Sequence, residues 1–327
     1  MEITALLFRQ MLVLFAMMAT GFLAFRLGVF GKTGQKEISA LIVRILNPFL
    51  MISSILSHTG EADGPVLLQN LAMVSLYYAF VIAAGFLYVH LRRLSHREQC
   101  LQQLMLVFSN VGFLGIPVVR AVYGPQYVLY LVFYMLFFNV LAYTYGIYLA
   151  GSLADSPAAP AVSAQPAKTG SRGASPRRFQ LRRIVNIGTV SGVIAILLFI
   201  LRPPVPEPVQ EFCSYMGNAC VPLSMILIGG SLAQLPLREI FRNPENYIFT
   251  AVKMLLFPAV GILLARLLPF APEVRNVFYL VLSMPVASLA GMLAEEYGHS
   301  GNDVNKVTAM TTLASVLTIP LLSLLYA

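Results

Sequence analysis

The segment "FSNVGFLGIPVV", residues 108–119, combines hydrogen-bonding and helix-weakening residues inside a long apolar stretch. Ser109 supplies a hydroxyl and Asn110 an amide that both donates and accepts hydrogen bonds, whereas Gly115 and Pro117 weaken or interrupt a helix. Unpaired backbone groups are costly in hydrocarbon, so such a break persists only where it lines a wet cavity or finds protein partners. The segment therefore predicts a polar site inside a membrane.

A second interruption occurs in "LVLSMPVASLAGMLAEEYG", which contains Ser283 and Pro285. Interrupted helices at corresponding positions in two halves of a chain indicate the central site of a transporter. The free N–H groups at the start of each half-helix, together with its partial positive charge, favour an anion. We therefore expect Asn110, Ser109 and Ser283 to contact an anionic substrate. A proline kink without a binding role is the alternative for either interruption alone.

The composition places these interruptions in an all-α polytopic membrane protein. Of the 327 residues, 58% are hydrophobic and 11% are charged, whereas a soluble domain carries roughly 25% charged residues. Apolar segments of about 20 residues recur along the chain, and the alternating pattern of a β-barrel is absent. We expect ten spans, at approximately 3–26, 38–56, 66–89, 101–122, 127–149, 184–201, 212–232, 247–268, 276–296 and 307–326.

The positions of the cations predict how these spans are oriented. Most Lys and Arg residues lie in loops after odd-numbered spans, whereas the loops after even-numbered spans hold only Arg120, Arg202, Arg266 and Arg275. The positive-inside rule then predicts that the odd loops are cytoplasmic and that both termini lie outside. Because the cations occupy short loops, the net charge of +8 does not indicate a nucleic-acid partner. Residues 151–183, rich in Ala, Ser and Pro, are interpreted as a disordered basic linker in the cytoplasm.

The linker separates two halves of five spans each. Residues 1–150 and 184–327 enter the membrane in opposite directions, which is the arrangement of an inverted repeat. A shift of 174 residues, which carries Pro48 to Pro222, also aligns identical residues in spans 4 and 9 and in the loops that follow them. The position of these identities, rather than their number, favours an inverted repeat.

The sequence resembles the auxin efflux carrier family, which includes plant PIN carriers and bacterial permeases for malonate and malate. The motifs that carry the resemblance are "NVGFLGIPVVRAVYG" (110–124), "MPVASLAGMLAEEYG" (284–298) and "NPFLMISSI" (47–55). It implies ten helices in two inverted five-helix repeats, with helices 4 and 9 broken and crossing, as in bile-acid symporters and sodium–proton antiporters. Spans 1, 2, 6 and 7 would form a scaffold, and spans 3, 4, 5, 8, 9 and 10 a transport domain that moves like an elevator.

The resemblance also implies roles for individual residues. Asn110 matches the family's substrate-contacting asparagine, and Asn139 and Tyr143 in span 5 are expected in the same cavity. The crossing of the broken helices is expected at Gly115, Pro117 and Pro285. Met51 stands where the plant carriers have a serine, and the long plant-type loop is missing, so the bacterial acid permeases are the nearer comparison.

Two cations lie within the spans, Arg44 in span 2 and Lys253 in span 8. A charged residue within a span indicates a functional role. For Arg44 the alternative interpretation is that its side chain extends toward the lipid headgroups. We expect Lys253 to compensate carbonyl ends exposed at the helix crossing; direct attraction of an anionic substrate is the competing role. No acidic residue lies deep in a span, which argues against sodium coupling through a buried carboxylate. A sodium site made only of carbonyl and hydroxyl oxygens is the alternative.

These patterns predict a secondary transporter of a small organic anion, a mono- or dicarboxylate such as malonate or malate, in a bacterial inner membrane. A membrane-embedded ligand sensor or regulator with a transporter-like body is the alternative. The sequence contains no metal-ligand cluster, cofactor motif or catalytic constellation, so we expect no cofactor, no metal and no enzymatic activity. The lipid bilayer is the expected environment, and a homodimer is expected by analogy with the family.

Overall fold

The computed structural model describes residues 2–56, 64–154, 187–235, 237–296 and 302–325. Regular structure in these residues is helical, apart from one isolated β-bridge. The first group of helices comprises α1 (Glu2–Arg26), α2 (Lys32–Leu41), α3 (Asn47–Leu56), α4 (Gly64–Leu91), α5 (His96–Val107), α6 (Ile116–Tyr123), α7 (Val128–Leu141) and α8 (Ile147–Ala154). The second comprises α9 (Ile187–Leu201), α10 (Glu207–Ala233), α11 (Leu237–Ile240), α12 (Pro244–Ala251), α13 (Phe257–Arg266), α14 (Pro272–Leu282), α15 (Ser288–Glu296) and α16 (Asn302–Ser323).

Within these residues, seven continuous helical runs are long and apolar enough to cross a membrane. They are Thr4–Arg26, Lys32–Leu56, Gly64–Leu91, Pro125–Ser152, Glu207–Ala233, Pro244–Arg266 and Asp303–Ser323. The other three predicted spans fall on shorter helices: span 6 on α9, span 4 on α5 and α6, and span 9 on α14 and α15. The all-helical, multi-span architecture is therefore confirmed. The predicted linker begins too early, because α8 continues to Ala154, and its remainder from residue 155 lies outside the described residues.

Three of the prolines inside the apolar runs follow widened turns. Three π-helical turns each lie just before a helix with proline as its second residue: Ile42–Leu46 before Pro48, Val111–Gly115 before Pro117 and Val252–Leu256 before Pro258. Proline donates no amide hydrogen bond and crowds the preceding turn, and a wider turn relieves both problems. Pro117 therefore lies within a helical segment that continues through it. The expectation that span 4 is interrupted at Pro117 is corrected, since the interruption lies earlier in the chain.

Large aromatic side chains form the core next to the interruption in span 4. Tyr77, Tyr134 and Phe108 are among the largest fully buried side chains. The ring centroids of Tyr77 and Tyr134 lie 5.5 Å apart in an edge-to-face arrangement, and the ring of Phe108 meets Phe138 in the same way at 5.4 Å. Such pairs add to the stabilisation from burial alone. They surround the irregular backbone with rigid side chains.

Glycine lets α1 and α10 approach each other at backbone distance. A Cβ atom on Gly21 would lie 2.6 Å from Ile226 Cα, and one on Gly229 would lie 2.8 Å from Phe22 N and closer still to Met18 O. Real Cβ atoms do not come this close to backbone, so any larger residue would push the helices apart. Small residues at such contacts are typical of helix packing in membranes.

Gly229→Ala is expected to destabilise the protein by about 1–3 kcal/mol, because the added methyl group overpacks a contact bounded by backbone atoms. Thermal unfolding of the purified protein in detergent measures the effect. Gly31→Ala is the matched control, since a Cβ at Gly31 meets nothing within 4 Å. Equal unfolding temperatures for the two variants would show that α1 and α10 do not pack this closely.

Candidate functional site

The interruptions of the two broken spans lie against each other. Asn110 N donates to Pro285 O at 2.7 Å, and Ala287 N donates to Phe108 O at 2.8 Å, so that Ser109 and Val286 form an antiparallel β-bridge. Each interruption thus supplies backbone partners that the other lost when its helix ended. This exchange satisfies the requirement that backbone groups away from water be paired.

Asn110 forms the start of the helical segment after the first interruption. Its Oδ1 accepts a hydrogen bond from Phe113 N at 3.2 Å, which is the role of an N-cap residue. This contact assigns the orientation of the amide, because only the oxygen can accept from an N–H group. Among the residues that the structure describes, no group accepts a hydrogen bond from Nδ2, and Asn110 lines the cavity described below.

Lys253 contacts the carbonyl end of α5. In a continuous helix Leu106 O would accept from Asn110 N, but that amide bonds to Pro285 instead. The Lys253 side chain, 2% exposed, donates from Nζ to Leu106 O at 2.8 Å and to Ser109 Oγ at 2.7 Å. Among the described residues no carboxylate pairs with this ammonium group.

Ser109 connects this lysine to a third span. Its Oγ lies 3.0 Å from the hydroxyl of Tyr77 in α4, which is fully buried. Ser109 also lines the cavity. One hydroxyl group therefore lies between the buried lysine, the buried tyrosine and the space that a ligand would occupy. Nothing in the sequence points to Tyr77 as a site residue, because it lies in an uninterrupted apolar helix, α4.

A cavity of about 620 Å³ opens beside the paired interruptions; we call it the central cavity. Its polar lining includes Arg44, Asn47, Ser109, Asn110, Asn139, Tyr143 and Ser288. Apolar side chains such as Met51, Met135 and Phe138 complete the wall. The structure thus brings five of the predicted site residues, Arg44, Ser109, Asn110, Asn139 and Tyr143, to one cavity.

Other predicted site residues lie elsewhere. Ser283 is fully buried and donates to Tyr279 O at 2.8 Å, and it is absent from the described lining of the central cavity. Its hydroxyl bonds to its own helix because α14 ends at this point and leaves carbonyls to satisfy. Gly115 is the last residue of the π turn and, like Pro117, lies beyond the crossing. Pro285 O accepts the hydrogen bond from Asn110 N where the two interruptions meet.

Ser288 was missed as a site residue, although the motif that contains it was recognised. It is the first residue of α15, its side chain is exposed, and it lines the central cavity beside Asn110. The signal that could have found it is a small hydroxyl residue soon after a proline, where a new half-helix begins. The first N–H groups of α15 have no intrahelical carbonyl partner.

Ser288→Ala is expected to weaken carboxylate binding by about three- to tenfold, because it removes one neutral hydrogen-bond donor from the cavity wall. Ser283→Ala is the matched control, since that hydroxyl faces the protein interior, and it is expected to leave affinity unchanged. Equilibrium binding to the purified protein compares the two variants. The reverse order of effects would mean that the substrate lies on the α14 side of the crossing.

The sequence matches the family model described as "Membrane transport protein" over residues 6–323. The chain belongs to this family. It is the auxin efflux carrier family that the motifs around the two interruptions resemble, so this prediction is confirmed. The chain is accordingly a multi-pass membrane transporter, in a family whose members are typically not enzymes.

Transporters of three other organisms share 23–29% identity with the chain. A protein of Rhizobium meliloti named "Putative malonate transporter" is 25% identical over 322 residues, which cover 97% of this chain and 94% of that protein. An uncharacterized transporter of Methanothermobacter thermautotrophicus is 23% identical over 310 residues, 93% of each chain. An uncharacterized transporter of Saccharomyces cerevisiae is 29% identical over 102 residues, and this match spans only 17% of the yeast protein's length.

Proposed function

We propose that this transporter carries a small organic anion, a mono- or dicarboxylate such as malonate or malate. The observation that carries the proposal is the Asn110 amide, which lines the central cavity and whose oxygen caps Phe113 N, so that its nitrogen, the donor end of the amide, is not used by the cap. A carboxylate accepts such hydrogen bonds and does not compete for the cap. The name of the Rhizobium relative supports the same class of substrate.

The surroundings of Asn110 favour negative charge. The helical segment after Asn110 and helix α15 both begin at the central cavity, and each contributes free N–H groups and a partial positive charge there. Arg44 adds a full positive charge to the lining, and no described residue of that lining is acidic. Several groups with a full or partial positive charge therefore attract an anion in the cavity.

The transport cycle that we propose is elevator-type alternating access between two inverted five-helix repeats. Spans 1, 2, 6 and 7 would form the scaffold, and the remaining spans would carry the paired interruptions as one body. The hydrogen bonds between the two interruptions support this division, because they join spans 4 and 9 into a unit. If the odd loops are cytoplasmic, as the cations predict, Arg44 and the start of α9 lie near the cytoplasmic ends of spans 2 and 6; their presence in the lining of the central cavity would then correspond to an inward-facing state.

Proteoliposomes that contain the purified protein test the proposal. Charge movement and tracer uptake are measured for malonate, malate, succinate, lactate and indole-3-acetate, with pH and sodium varied independently. We expect saturable uptake of one or more of these acids and competition among acids of similar size. Folded protein that binds an acid without moving it would indicate the sensor alternative, and no binding or uptake of any acid would contradict the proposal.

A further inference from the structure

The contacts of Lys253 suit a neutral amine as well as an ammonium group. An ammonium group carries three N–H donors, and the described residues supply two acceptors for them, Leu106 O and Ser109 Oγ. A neutral amine also donates to Leu106 O, and it either donates to Ser109 Oγ or accepts a hydrogen bond from that hydroxyl. The side chain, 2% exposed, is therefore held in the same place with or without its extra proton.

The charge of the ammonium group is not balanced by a carboxylate among the described residues. Helices α4, α14 and α16 pack against α12, α13 and the turn between them, and α5 supplies Leu106 O. The charged and histidine side chains of these elements lie within the first or last two turns of their helices or next to them: His90, Arg92, His96, Arg97, Glu98, Glu245, Arg266, Glu273, Arg275, Asp303 and Lys306. Their tyrosine and cysteine side chains, Tyr77, Tyr78, Tyr88, Cys100, Tyr247 and Tyr279, belong to types that are uncharged near neutral pH.

Ser109 connects Lys253 with the central cavity. Its Oγ lies 2.7 Å from Nζ and 3.0 Å from the hydroxyl of Tyr77, and the residue lines the cavity. On proton uptake, the Ser109 hydroxyl hydrogen passes to the Nζ lone pair and forms the third N–H bond, while a proton from solvent in the cavity replaces it on Oγ. Release reverses both steps. A proton can therefore be exchanged between the buried nitrogen and the cavity without any change in the backbone.

We propose that Lys253 is a proton-binding site coupled to the anion, which takes up a proton as the anion binds in the central cavity and releases it when the cavity is empty. A charge buried without a counter-charge is costly, and an anion on the other side of Ser109 supplies that counter-charge. By linkage, the proton favours binding of the anion to the same extent. The inference rests on the proposed function and adds the ion that accompanies the substrate, because spans 4 and 8 belong to one transport domain in the proposed cycle.

Proton uptake on anion binding is the first measurement. Malonate is titrated into the purified full-length protein by calorimetry, in buffers of different ionisation enthalpy and at several pH values. We expect the wild type to take up as much as one proton more per malonate than Lys253→Arg, whose guanidinium stays charged. Lys253→Gln replaces it as the reference if the larger side chain prevents folding. The affinity of the wild type should fall by at most about tenfold per pH unit as the pH rises. Lys36→Met removes an exposed lysine of α2 and should behave like the wild type.

The second measurement is made without a carboxylate. In the empty protein, Lys253 gives up its proton at a pH at which a lysine of the unfolded chain still keeps it. The unfolded state then binds more protons, so the stability of the wild type rises with pH, whereas Lys253→Gln has no proton to exchange. We expect the unfolding temperature of the wild type in lipid nanodiscs to rise relative to that of Lys253→Gln between neutral and mildly alkaline pH.

The two measurements separate this inference from the proposed function. It is overturned if malonate binds to the wild type with no more proton uptake than to the reference variant, or if the unfolding temperatures of the wild type and Lys253→Gln change in parallel with pH. Absence of carboxylate binding would contradict the proposed function, and the unfolding measurement would then still decide whether Lys253 exchanges a proton.

Discussion

Asn110→Ala is expected to reduce carboxylate binding and uptake by about ten- to a hundredfold, with a smaller loss of stability. The variant loses the Nδ2 donors of a residue that lines the central cavity, and a hydrogen bond to a charged group contributes about 1.5–3 kcal/mol. It also loses the cap on Phe113 N, which costs about 1 kcal/mol. Uptake into proteoliposomes and thermal unfolding measure the two effects separately.

Asn110→Asp separates the cap from the binding role. Aspartate keeps an oxygen that accepts from Phe113 N, and its negative charge suits the start of a helix. It has no donor to offer the substrate, however, and it repels an anion. We therefore expect near-normal stability together with a loss of uptake at least as large as that of the alanine variant. Normal uptake by Asn110→Asp would show that the substrate does not contact this side chain.

Lys253→Met is expected to lower the free energy of unfolding by about 1–3 kcal/mol, because Leu106 O would remain buried without a partner. The contacts of Lys253 favour a role as hydrogen-bond donor to the carbonyl left unpaired at the end of α5, since Nζ donates to Leu106 O and Ser109 Oγ. Lys253→Gln keeps two N–H donors on a shorter side chain and should recover part of the loss. Thermal unfolding and carboxylate binding are measured for both variants.

A loss of carboxylate affinity without a loss of stability would instead assign Lys253 the role of attracting the anionic substrate. Removing a buried charge can stabilise a protein when the charge is costly and is kept for function. If Lys253→Met unfolds at or above the wild-type temperature while carboxylate affinity falls, the lysine serves mainly to attract the anion. A loss of stability without a change in affinity would support compensation of the carbonyl end. The two roles therefore make opposite predictions from the same pair of variants.

The sequence by itself determined the helical membrane architecture and the family, and it predicted where along the chain a candidate site lies. Hydrophobic length is a local property, so helices were predictable wherever apolar residues ran far enough to span a bilayer. Asn110 was predicted to be a site residue because its polarity is costly in hydrocarbon unless it has partners. The role expected for Lys253 followed from the same reasoning, and it stays a prediction until it is measured.

The tertiary structure decided which groups meet. Pro117 looked like the interruption because proline lacks an amide hydrogen, but a π turn accommodates it, and the chain is interrupted instead where Asn110 N finds a partner in Pro285 O. The serines at positions 283 and 288 are chemically alike, yet one folds back onto its own helix and the other lines the central cavity. These differences depend on how spans 4 and 9, which lie far apart in the chain, pack against each other. The pattern of neighbouring residues in the sequence does not encode such contacts.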